Sequence, residues 1–258
     1  MRLMKRILSA AAVLALSASL LVGCSSGTAG SVPVSASSAA ESTVSSVEET
    51  ASSAVDENEA AAAQMLNDLT GSYQELWPVI LADEYKQTWL DDCTALVGED
   101  NAEAAFEKLS SMVTGDVYGE DAVEAYANGG GAYFCGFTND LATLTFDGET
   151  STISGTDKNG NVLFSHTYHY IGMEPVHGLY EFESDDADSG EFTYFFLAPD
   201  TSAETYHIEF RYGSDAEALS QYDAGEYAYW VASGISTDCD QTMIDNCIEL
   251  FCTENLAG

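Results

Sequence analysis

The chain has 258 residues, with 43 acidic against seven basic side chains and a formal net charge of −36. So acidic a balance repels nucleic acid and anionic lipid head groups, which excludes both as partners reached through charge. It attracts cations diffusely, and that attraction by itself specifies no site.

The first residues are set apart from the rest. Arg2, Lys5 and Arg6 precede an apolar run from Ile7 to Leu21, too short and too rich in small residues for a stable membrane span. The run ends in Leu21-Val22-Gly23-Cys24, which has the form of a lipobox. This resembles a bacterial lipoprotein signal. The resemblance implies removal of residues 1–23, lipidation of Cys24, and an extracytoplasmic chain held at the cell membrane by its lipid. Residues 24–59 are rich in Ser, Ala, Val and Glu, and no aromatic residue occurs before Tyr73. A segment of that composition cannot bury enough apolar surface to offset its ordering entropy, and it reads as a disordered tether.

Beyond the lipobox stand Cys93, Cys135, Cys239, Cys247 and Cys252. An odd number cannot all pair within one chain, and no Cys-x-x-Cys spacing for zinc or redox chemistry occurs. Export permits disulfides, at most two here. Cys93 and Cys247 fall on apolar helical faces, where a free thiol behaves as a small hydrophobe.

Residues 60–258 are expected to form one domain. Ala60 to Leu69 is alanine-rich and reads as a short helix. Tyr85, Trp89, Cys93 and Leu96 repeat at three to four and stop at Gly98, the pattern of an amphipathic helix with a glycine end. Ala102, Phe106, Leu109 and Met112 repeat it, and a third helix is expected from Gly119 to Ala127. Strand signals follow over Ala132 to Phe137, Leu141 to Phe146, Thr150 to Ser154, Val162 to Ile171, Gly178 to Ser184 and Glu191 to Ala198. Asp157-Lys158-Asn159-Gly160 is a hairpin turn, because Asn-Gly tolerates positive φ. The acidic tract from Ser184 to Gly190 fits a hairpin loop and lacks the ligand spacing of a calcium loop. With Thr205 to Gly213 the count is about seven strands, an antiparallel meander that curls into a barrel or half-barrel. A short helix from Asp215 to Tyr222 and a last helix capped by Thr237 or Asp238, with Met243, Cys247, Ile248 and Phe251 on its face, complete the expected α+β domain.

The strand from Thr205 to Gly213 carries the candidate chemistry. Tyr206, Ile208, Phe210 and Tyr212 point to one side, while His207, Glu209 and Arg211 point to the other. The polar row is either a solvated strand face or part of a cation or ligand site at a barrel mouth. Arg211 bears against a cation, since its guanidinium repels one and is able to pair with Glu209. His166 and His169 share a strand but are three apart, so they face opposite ways and do not chelate one ion from a regular strand. They and Asp200 are the sources of a third ligand, should His207 and Glu209 hold a metal. His177 falls in a loop after Pro175. No Gly-x-Ser-x-Gly elbow, His-Glu-x-x-His or phosphate loop occurs, and a non-enzymatic role is expected.

Three stretches resemble the ZinT-type family of lipocalin-like zinc-binding domains. They are Gly71-Ser72-Tyr73-Gln74-Glu75-Leu76-Trp77-Pro78, the run from Phe164 to Gly172, and His207 to Gly213 followed by Ala218-Leu219. The resemblance spans about Leu69 to Tyr229. It implies a lipocalin-like barrel with flanking helices, Zn2+ as cofactor, and a transporter as partner. Only His207 carries over as a ligand position. Glu209 stands where the family has its second histidine and is an oxygen substitute, and Phe195 to Pro199 contains none of the family's histidines. The expected function is binding of a divalent metal ion. The alternatives are an envelope interaction module and carriage of a small organic ligand in a cavity lined by Tyr168, Tyr170, Tyr206 and Phe210.

Overall fold

The computed structural model describes residues 57–198, 205 and 207–257. Cys24, the signal, nearly all of the tether, Asp200 and Tyr206 lie outside the described residues. Eight antiparallel strands close into a barrel in sequence order. They are β1 (Gly71–Glu75), β2 (Thr143–Asp147), β3 (Thr152–Thr156), β4 (Val162–Met173), β5 (Tyr180–Ser184), β6 (Tyr194–Leu197), β7 (His207–Gly213) and β8 (Ala232–Ser236). Helices flank it: α1 (57–68), α2 (Leu76–Ile80), α3 (Lys86–Val97), α4 (Glu99–Val113), α5 (Glu120–Ala127), α6 (Ala216–Leu219) and α7 (Gln241–Leu256). The expected α+β, lipocalin-like barrel with helices at both ends is the observed architecture.

Several expectations are corrected. The closing strands β1 and β8 were not read from the sequence, since Ser-Tyr-Gln-Glu runs straight into α2 and Ala-Ser-Gly-Ile-Ser is small and weakly patterned. They form because each supplies the edge the other lacks, through Tyr73–Ser236, Gln74–Ile235 and Glu75–Gly234. Ala132 to Phe137 is not a strand: Phe134 makes only isolated bridges to Thr114 and Trp230. The last helix is capped by Asp240, whose side chain accepts from the Met243 N–H. Thr237 instead bonds the Ser72 carbonyl through its N–H and its hydroxyl, lengthening the β8–β1 join. The helix buries Ile244, Cys247, Ile248 and Cys252. Of the expected face, Cys247 and Ile248 are buried, Phe251 packs partly buried against Trp77 and Trp89, and Ile244 rather than Met243 is the buried residue of the first turn. Leu96 of α3 is likewise exposed, leaving Trp89 and Cys93 as the buried positions.

Alternation along each strand makes two cores. Inside the barrel Phe146, Ile153, Tyr168, Phe182, Phe195, Phe210 and Tyr212 are fully buried. Phe195 stacks on Tyr212 at 5.4 Å and meets Tyr168 edge-on at 5.4 Å, so the lumen at this level is filled by rings. Outside the barrel, the wall made by β7, β8 and β1 is covered by α2, α3, α4 and α7, and Leu76, Trp77, Trp89, Leu109, Ile235 and Ile248 form the second core. The Asp157–Asn161 turn is as expected, with Gly160 at φ 80° and Asp157 Oδ1 accepting from the N–H groups of Asn159 and Asn161. The Asn161 side-chain amide, donating to Oδ2 at 2.8 Å, and those N–H bonds hold the Asp157 carboxyl down at about 2.

Candidate functional site

On β7 the period-two reading is correct for the described residues: Ile208, Phe210 and Tyr212 enter the lumen core. His207 and Glu209 face outward, opposite Ile235 and Ser233 of β8. Their setting differs from both sequence expectations. The row is neither a solvated face nor a barrel mouth: His207, beneath α2 and α7, is 6% exposed, and Arg211, covered by α6 and the loop after it, is 0% exposed.

His207 and Glu209 line a cleft between β7, α2 and α7, together with Leu76, Trp77, Cys247 and Glu254. Its volume of about 20 Å³ is room for one water or one ion and not for an organic ligand. Burial pushes the His207 imidazole down to about 4, so it is neutral at ordinary pH, the form in which it ligates. Its Nδ1 is hydrogen-bonded with Thr205 Oγ1 at 2.5 Å, which orients the ring. The Cys247 thiol donates to the Thr205 carbonyl at 3.2 Å, and burial pushes its pKa up to about 12. It is a protonated part of the wall and not a poised ligand. Glu254 was missed in the sequence reading; the stripe Cys247, Phe251 and Glu254, spaced four and three apart on α7, is the signal that brings its carboxylate to the cleft.

The donors line the cleft without converging. Among the described residues no group of three or more His, Cys, Asp or Glu side chains is placed to hold a metal ion.

Arg211 belongs to different surroundings. Its guanidinium donates to the carbonyls of Leu219, Gln221 and Tyr227 and lies 4.2 Å from the centre of the Tyr222 ring. The fork thus pins α6 and the loop after it to the barrel wall. The His177 ring lies with its centre 3.7 Å from that of Tyr222, tilted 44° to it. Glu174, fully buried, accepts from the N–H groups of Val176 and His177. Although burial works to raise its pKa, the hydrogen bonds from His177 and Val176 together outweigh it and hold the carboxyl below its usual range.

His166 and His169 are engaged elsewhere. His166 points toward the barrel's inner face with Phe164 and Tyr168, and His169 points out. Their Nδ1 atoms meet Asp186 at 2.8 Å and Asp185 at 2.7 Å, so each is tied to the acidic hairpin loop.

A larger groove lies on the far side of Trp77. It has a volume of about 330 Å³ and is lined by Glu75, Trp77, Leu81, Val113, Phe134 and Cys135. Glu75 Oε1 accepts from the Phe137 N–H at 2.7 Å, which holds its carboxylate at the rim.

No protein-family model matches the chain, and no curated protein does. Among solved structures it is similar to the Zn(II)-bound ZinT-like domain of Streptococcus pneumoniae AdcA, with a TM-score of 0.45 and 16% identity over 71% of this chain and 89% of that one. It is also similar to Zn(II)-bound AdcA from Streptococcus pneumoniae, with a TM-score of 0.43 and 15% identity over 72% of this chain and 35% of the other.

Proposed function

We propose that this domain is a non-catalytic module that binds one divalent cation in the cleft beneath α7. The observation that carries the proposal is an ion-sized space of about 20 Å³ walled by His207, Glu209 and Glu254. A neutral imidazole and two carboxylates suit a borderline cation such as Zn2+. Because the donors do not converge, the ion has to draw Glu254 and Glu209 inward. Part of the binding free energy is then used in reorganisation, and affinity is expected in the micromolar range (about −8 kcal/mol). The test is titration calorimetry with zinc on the wild-type chain and on His207→Ala and Glu254→Gln. A single site that both substitutions weaken at least tenfold supports the reading. The absence of binding heat in the wild-type chain overturns it.

The same proposal places the protein at the outer face of a membrane through lipid on Cys24, supported by the lipobox form of Leu21 to Cys24. Cys24→Ser is expected to release the protein from the membrane fraction, and continued retention argues for another anchor.

A second reading, uptake of a small organic ligand, is favoured by one observation and moves to a new place. Tyr168 and Phe210, expected to line its cavity, are packed in the barrel core. The groove beside Trp77, with about 330 Å³, falls in the range of small-molecule sites. Quenching of tryptophan fluorescence by the ligand, abolished in Trp77→Phe, is the measurement that separates the two readings.

A further inference from the structure

Cys93 on α3 and Cys252 on α7 are 159 residues apart in sequence, yet their Sγ atoms stand 3.9 Å apart in the outer core. Both residues are fully buried. The other described thiols have different neighbours: Cys247 bonds the Thr205 carbonyl, the Cys135 thiol faces the Tyr133 carbonyl at 3.9 Å, and Cys239 is only partly buried. We propose that Cys93 and Cys252 form a disulfide that staples α3 to α7, the helix that roofs the cleft.

A disulfide requires its sulfurs at about 2.0 Å, so rotation of the two side chains has to close the remaining separation within one helix–helix contact. The oxidant is a disulfide, either a small molecule such as oxidised glutathione or an export-side protein disulfide. One thiolate attacks it to give a mixed disulfide and releases one thiol. The second cysteine then attacks the first cysteine's own sulfur in that mixed disulfide, which forms the Cys93–Cys252 bond and expels the oxidant-derived sulfur as the second thiol. Two protein S–H bonds and one oxidant S–S bond break, and the protein S–S bond and two oxidant-derived S–H bonds form.

Burial also fixes when this happens. Desolvation raises the pKa of both thiols, so in the folded protein neither is a ready nucleophile. The bond therefore forms while the chain folds, before α7 closes over α3. Once formed, it is shielded from reductants until α7 opens. The staple does not depend on cation binding, and its test contains no metal.

The purified full chain is denatured, reduced, and refolded in glutathione redox buffer, then alkylated in denaturant and digested. The expected product is one linked pair of peptides containing Cys93 and Cys252, with Cys135, Cys239 and Cys247 alkylated. Alkylation of all these thiols at every redox ratio, or linkage to a different partner, overturns the proposal. Cys252→Ala abolishes the linkage and Cys247→Ala retains it. A loop this long gives the staple a large effect on the unfolded chain, so reduction is expected to lower the melting midpoint of the wild type by roughly 5–15 °C. Cys252→Ala is expected to show no response to reductant. If the linked protein melts unchanged after reduction, the stapling role is wrong even though the bond forms.

Discussion

Thr205 and His207 are joined by a 2.5 Å hydrogen bond between Oγ1 and Nδ1; both residues are buried, and Cys247 of α7 bonds the Thr205 carbonyl. Folding thus removes a titratable imidazole from water. Its pKa of about 4, set by burial, lies below the roughly 6.5 of an unfolded chain.

That difference gives a pH dependence with a definite sign. Between about 6.5 and 4 the unfolded chain takes up a proton at His207 and the folded protein does not. Stability therefore falls as pH falls through this window, by about 3 kcal/mol in total from this group. Carboxylates titrate in the same range, so the measurement is a difference: denaturant midpoints of wild type and His207→Gln from pH 7 to 4. The wild type is expected to lose stability more steeply. Parallel curves would show that the imidazole protonates in place.

Arg211 anchors the chain beyond β7 by donating to three separate carbonyls, those of Leu219, Gln221 and Tyr227. Arg211→Met keeps much of the aliphatic stem and strands those buried acceptors, at a cost of about 3 kcal/mol or more. Arg211→Lys is expected to cost almost as much, since a single ammonium does not reproduce the planar fork. Chemical denaturation of the two variants checks this, and full rescue by lysine would show that charge alone matters.

Helix α1 belongs to the domain. Ala62, Met65, Leu66 and Leu69 are buried in the barrel core cluster, and a Cβ on Gly148 would stand 2.4 Å from the Asn67 backbone. A chain starting at residue 57 is expected to melt with the full chain, while one starting at residue 70 loses about 5 kcal/mol of apolar burial. Gly148→Ala reports the same contact without truncation, because the added methyl pushes the helix off the β2–β3 turn. A midpoint unchanged by that substitution would mean that α1 is not seated there.

Inside the barrel Phe195 is fully buried and packs against Phe164, Tyr168, Phe210 and Tyr212. Phe195→Ala is expected to cost about 3–5 kcal/mol. In urea unfolding it should lower the midpoint without changing the slope. A small loss would indicate a lumen loose enough to collapse around the missing ring.

What the sequence by itself determined is the local pattern. Alternation set the inward and outward residues of β7, Asn-Gly set the Asp157 turn, and three-to-four spacing located α3 and α4. These follow from side-chain direction and backbone preference within a few residues, which a linear reading contains. Only the tertiary structure decided what covers each face. β1 and β8 exist as strands because they meet each other across the chain. Thr237 lost the expected cap role to the Ser72 carbonyl. His207 and Glu209, legible as an outward pair, became the wall of a cleft because α7 folds over them and brings Glu254. Arg211 turned away to the carbonyls of another loop, and His166 and His169 went to Asp186 and Asp185. Polar side chains with several available partners are assigned by long-range packing, which excludes water from some positions and not from others, and no spacing along β7 encodes which helix will do so.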